Sequence, residues 1–138
     1  MDILAVRPEP GGLIIGWHVE VQASFRPVGY VTPPSNAKTR SPQEMADCVK
    51  VWVQKKFLAD TKRELREHLW PKTEWSFHLV HAVVRDKTEL QLMQAQGLTL
   101  HPFDEVLKSL CSDADKRFSC SSGGDLLEIV QYYEKEQR

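Results

Sequence analysis

A chain of 138 residues is the size of one domain and long enough to enclose a hydrophobic core. Its 41% hydrophobic and 27% charged residues are ordinary for a globular protein, and no apolar run has the length of a membrane span. The start of the chain lacks the basic, apolar and small-residue succession of a secretory signal, so a cytoplasmic protein is expected.

The net charge of -1 is no sign of a nucleic-acid binder, but the charge is unevenly spread. Residues 38 to 72 hold nine Lys or Arg against five Asp or Glu, and residues 73 to 138 hold seven against eleven. The basic region could face phosphates; as a bare charge pattern it is better explained as a solvated helix surface. Cys48, Cys111 and Cys120 show no CxxC or CxxH spacing and are expected to be free thiols in or near the core.

In chain order, "DILAV" is a short strand that begins at Asp2. Pro8, Pro10 and the pair Gly11-Gly12 then form a turn, because proline fixes one torsion and glycine permits the positive ones a reversal needs. "LIIGWHVEVQASF" follows as a longer strand rich in β-branched and aromatic residues, which makes the two an antiparallel hairpin. "RPVGYVTPPSNAKTR" is a loop. It ends at "SPQE", where Ser41 caps, Pro42 suits the first helical position and Glu44 completes a capping box.

Apolar residues recur at Met45, Val49, Trp52 and Val53 and again at Leu58, Leu65 and Leu69, so one long amphipathic helix is predicted, ending before Pro71. "WSFHLVHAVV" (75–84) reads as a strand covered on both faces. Asp86 caps a second helix through about Gln96, and Gly97 stops it. "LTLHPF" is a further short strand, "FDEVLKSL" a helix, and "LLEIVQYY" after Asp125 a last one. The order β-β-α-β-α-β-α-α predicts an α/β fold with a mixed central sheet, an N-terminal antiparallel hairpin and flanking helices, all in a single domain spanning residues 1 to 138.

Inside the second strand, "WHVEVQASFR" places Glu20 and Gln22 two residues apart, so both point to one face while Val19 and Val21 point to the other. A half-exposed strand face explains such alternation; so does a face that meets a metal ion or a phosphodiester. Across a turn centred near residue 10, the antiparallel partner of Asp2 lies around residue 19, close to Glu20. Two carboxylates at that distance repel, and a bound Mg²⁺ or Mn²⁺ is a common remedy, with the backbone carbonyl of Val21 as a further oxygen ligand.

Asp2, then Glu20-Val21-Gln22, then a capped helix, a buried strand and "LTLHPFDEVL" resemble the PD-(D/E)XK superfamily of restriction-endonuclease-like nucleases. The resemblance covers roughly residues 2 to 110, with the specific residues confined to the hairpin. It implies a restriction-endonuclease-like fold and a metal-dependent endonuclease that hydrolyses DNA phosphodiester bonds. By resemblance Asp2 and Glu20 are metal ligands, and Asp2, Glu20 and Gln22 are catalytic. Gln22 takes the place usual for the family's lysine. Glutamine carries no charge, so the lysine's role is either abandoned or taken up elsewhere, with Lys55 and Lys56 on the following helix as the candidates.

The family core begins with a helix and a strand ahead of its Asp, whereas this sequence begins one residue before Asp2. The resemblance therefore implies an N-terminally truncated fragment or a mis-started reading frame, a homodimer or partner chain that supplies those elements, or a core that dispenses with them. Arg26, Lys38, Arg40, Lys55 and Lys56, with Tyr30 and Trp52 nearby, are the candidate contacts to nucleic acid, by ion pairing and base stacking. Trp52 lies on the apolar stripe of its helix and is expected in the core. The alternative function is a noncatalytic nucleic-acid-binding or protein-interaction module on the same fold. His18, His68, His78, His81 and His101 show no metal-ligand spacing, and His78 and His81 fall on opposite faces of their strand.

Overall fold

The computed structural model describes residues 2–22, 27–32 and 40–109. The chain divides into two units, Met1–His101 and Pro102–Arg138. In the second, residues 103–109 are helical; the helix expected after Asp125 lies outside the described residues, as do Cys111, Cys120, Arg26 and Lys38. The fold that follows is that of the first unit.

Strands β1 (Asp2–Pro8) and β2 (Ile14–Gln22) pair antiparallel, from Asp2↔Glu20 through Pro8↔Ile14. Gly11 and Gly12 turn the chain with φ of 92° and 84°, a region that costs a residue with a Cβ about 1 kcal/mol or more. β2 pairs in parallel with β3 (Thr73–His81), from Ile14↔Thr73 through Gln22↔His81. Parallel neighbours need a crossover, and the helices between residues 42 and 69 supply it. Helix α3 (Lys87–Ala95) then leads to β4 (Leu98–Pro102), giving one sheet in the order β1-β2-β3-β4. The protein is thus a mixed α/β fold with an antiparallel hairpin at one side of its sheet.

Helix α1 (Pro42–Val53) starts on the capping box read from the sequence: Ser41 Oγ accepts from Glu44 N–H at 3.2 Å, and Glu44 Oε2 accepts from Ser41 N–H at 2.8 Å. Asp86 caps α3 by accepting from Thr88 N–H at 2.8 Å, and Gly97 ends it at φ 87°.

The single long helix is the expectation that fails. α1 runs into a π-helical turn (Gln54–Leu58), and at Ala59 the backbone leaves the helix with ψ 142° before α2 (Asp60–Leu69) begins. The wider π turn and the break rotate the buried face. Met45, Val49, Val53 and Phe57 are buried, whereas Leu58, Leu65 and Leu69 are exposed, and the side chain that α2 buries is Arg66. Arg66 Nη1 donates to the Phe57 carbonyl at 2.8 Å, so the guanidinium bridges the two sides of the break.

The core unites Val49, Val53, Phe57, Leu79, Met93 and Leu98, with Trp52, Phe77 and Leu100 packed against it. Trp52 stands as expected, with ring centroids 5.4 Å from Tyr30 and 6.2 Å from Phe57. Gly16 lies opposite Trp75, and a Cβ there would come within 2.6 Å of the indole. Residues 27–32 extend the sheet past β2, through a bridge between Val28 and Val84. They are tied down by Glu89, a fully buried carboxylate on α3 that accepts from the Tyr30 N–H at 2.8 Å, the Val31 N–H at 3.3 Å, and the Thr32 N–H and hydroxyl.

Candidate active site

The register of the hairpin builds the site. Residues directly opposite in an antiparallel pair point to the same face with Cβ atoms about 5 Å apart, so Asp2 and Glu20 meet. The period of two adds His18 and Gln22, one on either side of Glu20, to that face. Val19 and Val21 point to the other, which leaves Val21 only its backbone oxygen to offer a ligand. The face turns toward the π-helical turn and α2, and from these come two lysines.

Glu20 is 2% exposed, and its Oε1 accepts from Lys56 Nζ at 2.7 Å and from Gln22 Nε2 at 2.8 Å. Half-exposed Asp2 receives Lys62 Nζ on Oδ2 at 2.6 Å. A hydrogen bond with the Glu20 carboxyl, together with the Lys62 ammonium, holds the Asp2 carboxyl well below the usual carboxylate range.

His18 completes the group. It is buried, with Nδ1 2.9 Å from Arg66 Nη1 and Nε2 3.5 Å from Asp2 Oδ1. Burial, then the Arg66 charge, lowers its pKa. No family model, curated protein or solved structure matches this chain. The site must speak through its own chemistry.

Asp2, Glu20, Gln22 and Lys56 come together, whereas Lys55 does not join them. Lys55 lines a shallow depression with Arg40, Tyr30, Trp52, Asp47 and half-buried, free Cys48. Two of the basic residues expected to contact nucleic acid thus share one surface with two aromatic rings. Three members of the cluster were not among the expected site residues. His18 was accessible, since it lies two residues before Glu20 on the same strand face. Lys62 and Arg66 were not: on an unbroken helix Lys56 and Lys62 diverge by about 120°, and only the break at Ala59 turns both toward the hairpin.

Two adjacent carboxylates are the hard oxygen donors that Mg²⁺ or Mn²⁺ takes, and Mg²⁺ is commonly held by one or two carboxylates with water completing its shell. Among the described residues, no group of three or more His, Cys, Asp or Glu is arranged to hold a metal. No helix among them is long and apolar enough to cross a membrane.

Proposed function

We propose that this chain is a metal-dependent DNA endonuclease of the PD-(D/E)XK kind, with a restriction-endonuclease-like core, acting in the cytoplasm. The observation that carries this reading is the ammonium of Lys56 set 2.7 Å from Glu20, which itself lies directly across the hairpin from Asp2. The charge missing at Gln22 is present at the same carboxylate, delivered from a helical turn instead of from the strand. π turns recur at functional sites, and here one carries the lysine.

Asp2 and Glu20 hold Mg²⁺ or Mn²⁺, with the Val21 carbonyl as a further oxygen. The bound ion supplies an oriented, acidified water and offsets charge developing on the phosphate. Gln22, fixed by its bond to Glu20, orients water or a phosphate oxygen. Lys56 places a cation beside the scissile phosphate and stabilises the charge that develops there. Arg40 and Lys55, beside Trp52 and Tyr30, receive the DNA backbone.

A second reading has its own observation. Each carboxylate already has a lysine, Lys56 on Glu20 and Lys62 on Asp2, so the pair is neutralised without any ion. That favours a noncatalytic module that binds nucleic acid or protein. Supercoiled, linear and branched DNA incubated with Mg²⁺ or Mn²⁺ separates the two. Cleavage by the wild type and a loss of about 10²-fold or more in Glu20→Ala support the nuclease. Binding of DNA without cleavage by either protein supports the module.

A further inference from the structure

The proposed chemistry leaves one buried nitrogen without a task. His18 Nε2 has no hydrogen-bond partner at ordinary length, is shielded from solvent, and faces Asp2 Oδ1 at 3.5 Å. The opposite ring nitrogen decides what Nε2 is. Nδ1 lies 2.9 Å from Arg66 Nη1, and a guanidinium has donors only, so Nδ1 accepts and the ring proton of neutral His18 resides on Nε2. Arg66 is in turn immobilised, bonded to the Phe57 carbonyl and lying over the rings of Phe77 and Trp75 at 5.1 Å and 5.9 Å. The Phe57 ring meets His18 edge-on, with centroids 5.1 Å apart.

We propose that His18, its tautomer set by Arg66, is a positioning residue that directs Nε2–H at Asp2 and so holds the Asp2 carboxylate facing Glu20. Its purpose rests on the metal-site reading above; its geometry does not. The need is physical. Asp2 heads a strand that borders only β2 among the described residues and is half-exposed, and Lys62 reaches it on a long, rotatable stem from α2. A donor on a buried strand, locked from behind by a buried guanidinium, keeps a fixed direction toward the carboxylate, which the rotatable stem of a lysine does not. The assignment also excludes His18 as a metal ligand through Nε2, because a ligating imidazole nitrogen carries no proton.

Two measurements on the full chain test this. Ring ¹⁵N spectra without metal are expected to show His18 as the neutral Nε2–H tautomer, and Arg66→Met to give a mixture of tautomers. A proton on Nδ1 in the wild type, or an unchanged spectrum in the variant, overturns the proposal. Mn²⁺ affinity, read from paramagnetic broadening, is expected to fall about 10-fold in His18→Phe and to stay within about 2-fold of wild type in His18→Gln, which keeps an N–H donor at similar reach. Equal affinity in wild type and His18→Phe overturns the positioning role. A wild type that binds no Mn²⁺ overturns the metal reading instead, and the ring spectra then decide this inference alone.

Discussion

At the scale of single residues, the site separates groups that hold charge from groups that place it. Lys56 does both, since its ammonium bonds a nearly buried carboxylate. Lys56→Met is expected to lower cleavage about 10²-fold while DNA binding changes little, and Lys55→Met to show the reverse; steady-state cleavage beside a binding titration checks both. Gly16 is a matter of space. Gly16→Ala drives a methyl into the Trp75 ring and is expected to destabilise the fold by about 1–3 kcal/mol in denaturant unfolding. That Asp2 comes near Glu20 was legible beforehand, because a hairpin turn is a local rule, whereas the register that puts both on one face was not. The choice of Lys56 over Lys55 was not, because it depends on how far the helix has wound when it reaches them.

At the scale of elements, the break at Ala59 is the decisive feature, and nothing strong in the local sequence marks it. The stretch "FLADTKRE" lacks the Gly or Pro that ordinarily interrupts a helix, so the apolar periodicity runs on through Leu58, Leu65 and Leu69, which the structure turns outward. Tertiary contacts won over periodicity: Phe57 takes the core position, and Arg66 satisfies its carbonyl. Ala59 is the N-cap of α2 and has no side chain to serve it. Ala59→Ser supplies one, and a gain of about 1 kcal/mol is expected from thermal unfolding. Glu89 was illegible for a different reason: it binds residues more than fifty positions away. Glu89→Ala strands the amides of the 30–32 loop and is expected to cost about 2–4 kcal/mol, seen as a lower denaturation midpoint.

At the scale of the whole molecule, titration enters through buried imidazoles. Both ring nitrogens of His78 are engaged, Nε2 with Ser76 Oγ at 2.8 Å and Nδ1 with His101 Nε2 at 3.0 Å. Burial, then the neighbouring His101, lowers its pKa from the ordinary 6.5. The unfolded chain therefore takes up a proton more readily than the folded one. Stability from this group is complete above about pH 6.5 and declines as pH falls toward the lower folded value. Urea midpoints are expected to drop across that window and to drop less in His78→Gln; equal slopes in the two proteins contradict the assignment. Strand order was legible as far as a mixed sheet with an opening hairpin, since both follow from turn chemistry and from the helical connection.

The placement of β1 has a last consequence. Among the described residues it borders only β2, and none of its residues belongs to the core cluster, so the half of the acidic pair that it carries sits on a strand held by a single neighbour. Local opening there takes less free energy than global unfolding. On the proposed nuclease reading, cleavage and melting temperature should accordingly come apart. A lesion that frays this border would silence the protein while leaving its calorimetric transition almost where it was, and amide exchange would register the damage first.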